Sequence, residues 1–339
     1  MSGRLCFLLS RATGSDFRSG MRGLTNYCLS CCVNTLLQAF SATWELADLL
    51  DKWETAGGRE DDRNVPLQLK KVLAAMRNDL PQPAPHHSFL HCLDRNDIRL
   101  KTQHDADEVF LFILNFIQQQ MDDETLALEI QNLYKISLET QLQCLVCRSV
   151  QTQTSYLLNL PLHINEDHNS LEGCLTSFFK HQELKDLNCC FCPSCETKTP
   201  SKQGVRLLSL PHILCVNLKR FRNSRAGTRK LDCMVTFPET FDLSEAVREA
   251  LSPDFAQEDC RYTLYAVVVH SGSAMCGHYT AFVLHRKSQR WYYADDSRVK
   301  QVSWEDVKTT YGGHYGDTAY MLMYRRVLKE EGQQPELSG

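Results

Sequence analysis

The chain lacks the features that mark membrane, nucleic-acid-binding and secreted proteins. No stretch approaches the roughly 20 consecutive apolar residues that span a bilayer, so no membrane insertion is expected. The apolar run Leu5 to Leu9 is too short for the h-region of a secretory signal. Positive charge is not in excess either. With 37 Lys and Arg against 41 Asp and Glu the net charge is -4, and no long-range positive field exists to hold nucleic acid. Internal repeats and low-complexity tracts are missing as well, so neither a repeat array nor a biased unfolded tract is expected.

Cysteine, by contrast, is plentiful: 16 in 339 residues. Without a secretory signal this points to a reducing compartment, cytoplasmic or nuclear, where thiols serve as ligands, nucleophiles or core filler. A hydrophobic share of 43% allows a large core. Residues 1–20 and 329–339 show no sustained period and read as flexible tails around a folded unit, 21–328.

Cys31, Leu36, Leu37 and Phe40 share a helical period, with Ser30 as N-cap. A second helix is expected from Ala106 to Met121, so apolar that it must be buried nearly all round. From Ile213 onward strands are expected at 213–218, 262–270, 279–285, 290–294 and 319–324, with loops at Arg222 to Lys230 and Glu245 to Asp259. The fold class is therefore α+β.

Cys31 falls at a helix start, where backbone N–H groups and the helix dipole favour a thiolate. Asn26, five residues earlier, can aim its amide at the oxygen of a tetrahedral intermediate beside the N–H of Cys31. Taken alone, the segment reads more readily as a turn followed by small buried thiols. Its weight grows with the distant segment Cys276-Gly277-His278-Tyr279, which ends a glycine-containing loop at a strand start, and with the strand Trp291 to Ala294 that ends in Asp295-Asp296. A cysteine on the helical half with a histidine and a carboxylate on the sheet half is the arrangement of a papain-like cleft. Cys31 is then the nucleophile, His278 the general base and Asp295 the group that orients it. His270 is the alternative base; His278 is preferred because glycine precedes it.

Cys144-Leu-Val-Cys147 and Cys192-Pro-Ser-Cys195 form two C-x-x-C knuckles with 44 residues between them. Four thiolates close a tetrahedral site for one structural zinc, leaving no open position for water. The alternative is a set of unpaired thiols or a redox pair, and Cys189 and Cys190 are spare thiols. No organic cofactor is expected.

Together these segments resemble the ubiquitin-specific protease family, whose cysteine box reads Gly-Leu-x-Asn-x-Gly-x-Thr-Cys-x-x-Asn and whose histidine box reads Gly-His-Tyr. The match runs from Gly23 to about Tyr324. The resemblance implies a papain-like thumb (about 21–130), zinc-binding fingers (about 131–212) and palm (about 213–328). It also implies that Asp296 supports the oxyanion site, and that Asp105 and Glu108, in a helix start like the family's Gln-Gln-Asp-Ala-x-Glu, bind the modifier's C-terminal tail with Gly277 and Tyr279. Within the family the likeness is to the interferon-induced branch that removes the two-ubiquitin-fold interferon-stimulated modifier. Ser30-Cys31-Cys32, Gln103 to Ala106, Cys190 to Cys195 and Val302 to Asp306 carry that likeness.

The activity so implied is thiol-dependent isopeptide hydrolysis by a monomer. Its partners would be the modifier and its conjugates, with interferon-receptor signalling components by resemblance only. A ubiquitin-directed hydrolase and a non-catalytic binding protein of the same fold are the alternatives. Two departures stand out: Cys28 replaces the family's glycine and Ser30 its threonine. Serine caps as well as threonine. Cysteine does not take a positive φ cheaply, so a strained loop and slowed catalysis follow if that position needs one.

Overall fold

The computed structural model describes residues 21–54, 62–77, 83–99, 102–225, 227–253, 255, 260–274, 276–313 and 316–327. The tails read at 1–20 and 329–339 lie outside these. Helices dominate up to Tyr134: α1 (Cys31–Ala42), α2 (Trp44–Lys52), α3 (Val65–Met76), α4 (His87–Arg95), α5 (Ala106–Gln120) and α6 (Glu124–Tyr134). Local chemistry starts several of them. Asn64, Asp105 and Asp123 each accept a bond from a backbone N–H of the first turn of α3, α5 and α6, relieving the orphan donors of a helix start.

Ser30 occupies the position before α1 but makes no such bond. Its hydroxyl instead accepts from the N–H of Tyr27 at 2.9 Å, which corrects the expected cap: the hydroxyl shapes the turn before the helix. The all-round burial expected of α5 is also corrected. Ile113, Leu114 and Ile117 are buried, yet Phe112 is 49% exposed, because it shares a solvent-facing stripe with Glu108, Asn115 and Gln119.

Beyond α6 the described chain forms two main sheets. One is four-stranded and antiparallel, in the order Val150–Leu157, Ile136–Cys144, Ser201–Ser209, Gln182–Leu184. The larger runs Arg298–Val302, Arg290–Asp295, Cys276–His285, Arg261–Ser273, Thr318–Arg326, Ile213–Lys219, Leu160–His163, with Thr240–Asp242 pairing beside Arg261–Ser273. Only the Leu160–His163 edge is parallel to its neighbour.

Both faces of the larger sheet are covered, so its central strands read as continuous apolar runs such as Val267-Val268-Val269. Alternate residues serve different cores. Ile213, Cys215, Val268 and Ala281 face the helices, while Leu214, Val216, Val267 and Val269 join Leu171, Leu175 and Phe282 on the other side.

Two boundaries differ from expectation. The stretch 131–212, read as fingers, is not one unit: Leu160–His163 pairs with Ile213–Lys219, and the helix Leu171–Phe179 packs beneath the larger sheet. Leu160, Leu162 and Ile164 supply the apolar side chains that draw it there. Of the two expected loops, the first is a hairpin, Phe221–Ser224 with Gly227–Lys230. The second begins inside a helix, Leu243–Val247, and continues through a 3-10 turn, Arg248–Ala250, with residues 254 and 256–259 outside the described residues. Among the described residues no helix is long and apolar enough to cross a membrane.

Candidate active site

Cys31 is the first residue of α1 and is 5% exposed. The segment before it is stitched to the turn that follows strand Arg290–Asp295. Leu24 N–H donates to Asp296 O at 2.8 Å, and Gly23 lies so close to Ser297 that a Cβ would sit 2.4 Å from its carbonyl oxygen. Only glycine fits there. The carboxylate of Asp296 accepts from two amides, Asn26 Nδ2 at 2.8 Å and Asn34 Nδ2 at 2.7 Å. Asn34 was not singled out from the sequence. Its signal was the closing asparagine of the cysteine box, three residues after Cys31.

His278 lies on strand Cys276–His285, and Asp295 ends the neighbouring strand. The register Ala281↔Ala294, continued by one residue, sets Thr280 opposite Asp295. His278 is then the diagonal neighbour on the same face. The ring closes the gap, with Nε2 2.7 Å from Asp295 Oδ1. Nδ1 is the ring nitrogen that Asp295 leaves unengaged, and Cys31 is near enough to act on the ring's charge. The carboxylate of Asp295 first, and Cys31 second, raise the His278 pKa to about 10 against the opposing effect of burial. The bond to His278 holds the Asp295 carboxyl below its ordinary value. An imidazolium thus faces the sulfur, the charge with which a thiolate pairs.

His270 does not reach this group. It is fully buried beneath the loop, with no hydrogen-bond partner on either ring nitrogen among the described residues. Burial, and then the charge of Lys230, push its pKa down to about 4. Its ring explains Gly277: a Cβ there would fall 2.2 Å from His270 Nε2 and 2.4 Å from Ser271 O.

The residues expected to bind the tail are placed unequally. Glu108 is exposed in the first turn of α5. Asp105 Oδ1 is already engaged, accepting from Asp107 N–H at 2.8 Å and Tyr320 OH at 2.5 Å. Tyr279 is 1% exposed, against His270 and Tyr320, so its ring is not available to a peptide in the cleft. Gln103, unassigned from the sequence, accepts from Gly277 N–H through Oε1 at 3.0 Å and ties the lead-in of α5 to the strand of His278.

At the far end of the smaller sheet, Cys144, Cys147, Cys192 and Cys195 hold their sulfurs within 4.8 Å of one another. Cys144 and Cys195 are 3.9 Å apart, Cys147 and Cys192 3.6 Å. A tetrahedral ion with Zn–S bonds of about 2.3 Å requires sulfurs about 3.8 Å apart, so the four thiols fit. Arg148 and Glu196, each directly after a knuckle, have φ of 62° and 54°, and the two hairpin tips share one turn geometry. Cys189 and Cys190 stay outside the cluster.

The ubiquitin carboxyl-terminal hydrolase family pattern matches residues 22–324. The chain is 32% identical over 323 residues to the human protein Ubl carboxyl-terminal hydrolase 18, covering 92% of this chain and 87% of that protein. The mouse protein of that name is 33% identical over 321 residues with the same coverage. Ubiquitin carboxyl-terminal hydrolase 47 of Xenopus tropicalis is 26% identical over 91% of this chain and 28% of its own length.

Proposed function

The chain belongs to the ubiquitin carboxyl-terminal hydrolase family, a cysteine-type hydrolase acting on ubiquitin-like modifiers, and from that premise we propose how its residues divide the work and which modifier it removes. Cys31 attacks the carbonyl carbon at the modifier's C-terminal glycine, and the developing oxyanion is met by Asn26 Nδ2 and the N–H of Cys31. Asp296 and Asn34 fix the amide of Asn26. His278, oriented by Asp295, gives its proton to the departing lysine amine and then takes one from the water that hydrolyses the thioester. The observation that carries this is the 2.7 Å bond that orients the His278 ring on Asp295, with Cys31 near enough to raise the ring's pKa.

Glu108 and the free oxygen of Asp105 receive the modifier's basic tail, and the backbone of Gly277 and Tyr279 lines the same channel. Cys144, Cys147, Cys192 and Cys195 hold one structural zinc. Val146 and Phe191, 66% and 59% exposed beside the knuckles, are apolar contacts for the modifier's body. The modifier proposed is the interferon-stimulated one, on the likeness to Ubl carboxyl-terminal hydrolase 18 together with the sequence strings named above. The protein acts as a monomer in the cytoplasm or nucleus, within interferon signalling.

Paired labelling tests this. Probes carrying a C-terminal electrophile on the interferon-stimulated modifier or on ubiquitin are offered to wild type and Cys31→Ala. Faster labelling by the first probe, absent in the variant, is expected. Equal or faster labelling by the ubiquitin probe would make this a ubiquitin-directed enzyme. No labelling of folded wild type would make it a binding protein.

A further inference from the structure

Two thiols bound the turn that enters α1, Cys28-Leu29-Ser30-Cys31. Cys28 is exposed, and its φ of 62° lies in the left-handed region that glycine takes without penalty and cysteine does not. Nothing in the catalytic arrangement uses the Cys28 sulfur. The ends of a four-residue turn lie within about 7 Å of each other, and a disulfide needs Cα atoms about 4.4–6.8 Å apart. We propose that Cys28 is a resolving thiol, closing a reversible disulfide with Cys31 after a hydroperoxide has oxidised the Cys31 sulfur.

Atoms and electrons balance in two steps. The Cys31 thiolate attacks one peroxide oxygen, the O–O bond breaks, hydroxide or an alcohol leaves, and Cys31 becomes a sulfenic acid. The Cys28 sulfur then displaces the sulfenic oxygen, which departs with the Cys28 proton as water. Overall two thiols lose two electrons to the peroxide. The disulfide removes the nucleophile and keeps it from the irreversible sulfinic state.

The other thiols nearby serve less well. Cys32 is 2% exposed, and adjacent Cα atoms, about 3.8 Å apart, fall short of disulfide geometry. Cys276 is exposed but sits across the cleft, in the hairpin before His278.

The inference rests on the proposed function only in taking Cys31 as the reactive sulfur. In the test, the full chain is treated with several equivalents of hydrogen peroxide per thiol, blocked and digested with trypsin and chymotrypsin, the latter cutting after Leu29. Mass spectrometry should find Cys28 joined to Cys31, and dithiothreitol should restore probe labelling. Cys28→Gly, which relieves the backbone strain at this position, should label at least as fast as wild type before oxidation. After peroxide it should stay inactive, with Cys31 as sulfinic or sulfonic acid. Cys31 joined to Cys276 or Cys32, overoxidised Cys31 beside free Cys28 in wild type, or full recovery of Cys28→Gly would overturn the proposal. A chain that never labels but still forms the Cys28–Cys31 bond would sink the hydrolase reading and leave this one standing.

Discussion

Asp295 is the first cause of the raised His278 pKa, so its removal should act through pH as well as rate. In Asp295→Asn the ring loses its anionic partner, and the alkaline limb of the kcat/KM profile should move down from near 10 toward the ordinary value of 6.5. Loss of general acid–base efficiency should lower the rate by about 10²–10⁴-fold at neutral pH. An unmoved alkaline limb would show that another group holds the proton. The stability linkage has a definite sign. Protonation of a ring whose pKa is higher folded than unfolded stabilises the fold fully below about 6.5 and not above about 10. Thermal stability of wild type relative to His278→Ala should fall across that window. Asn26→Ala should lower kcat about 10²–10³-fold with little change in KM. Asn34→Ala, one step removed, should lower kcat less and also leave KM alone. The residues proposed to meet reacting atoms could be named from sequence because their chemistry is rare. Asn34, the last residue of the cysteine box, and Gln103 were visible there but their bonds were not, since an amide's role depends on which distant group it meets.

The strands and helices followed from period and composition wherever burial is simple. Strands expected at 262–270 and 279–285 occur at Arg261–Ser273 and Cys276–His285, and the helix expected from Ala106 runs from there to Gln120. The misreadings arose where neighbours decide. Leu160–His163 is too short to declare its sheet, and Phe221–Lys230 is too polar to look like a hairpin. The smaller sheet has little apolar filling, with Val150–Leu157 almost wholly exposed, so the thiol cluster must fasten its tip. Replacing Cys144 or Cys192 by serine should remove about one equivalent of zinc and expose residues 136–209 to limited proteolysis. A short tail-derived peptide should still be cleaved. Val146→Ser with Phe191→Ser should raise KM for the intact modifier and not for the peptide. An equal effect on both substrates would place those side chains outside the contact with the modifier's body.

At the scale of the molecule, the helical layer carries the sulfur and the sheet carries the ring, so their alignment depends on what joins the two layers. α1 lies across Cys276–His285 and Arg261–Ser273, but apolar packing alone can slide. A directional clamp sits at the other end of the sheet. Glu45 of α2 accepts from Arg325 Nε at 2.6 Å and Nη2 at 3.1 Å and bonds His212 at 3.1 Å. The Arg325 guanidinium is stacked 3.1 Å from the Trp44 ring centroid and 4.2 Å from that of Tyr265. Sequence separations of 167 and 280 residues kept this clamp from view, since no local pattern pairs an acid with a base so far away. Burial pushes the Glu45 pKa up, but the bonds from His212 and Arg325 outweigh it and hold the carboxyl at about 2. Its stabilisation is therefore present above the ordinary 4.5 and lost as pH falls toward about 2. Glu45→Gln should destabilise the chain by about 1–3 kcal/mol at neutral pH, between the values for exposed and buried pairs. The gap to wild type should narrow through that acid window. If the clamp also fixes the layers, kcat should fall with it, although Glu45 touches no reacting group. A variant that loses stability but keeps kcat would show that α1 alone holds the sulfur against the ring.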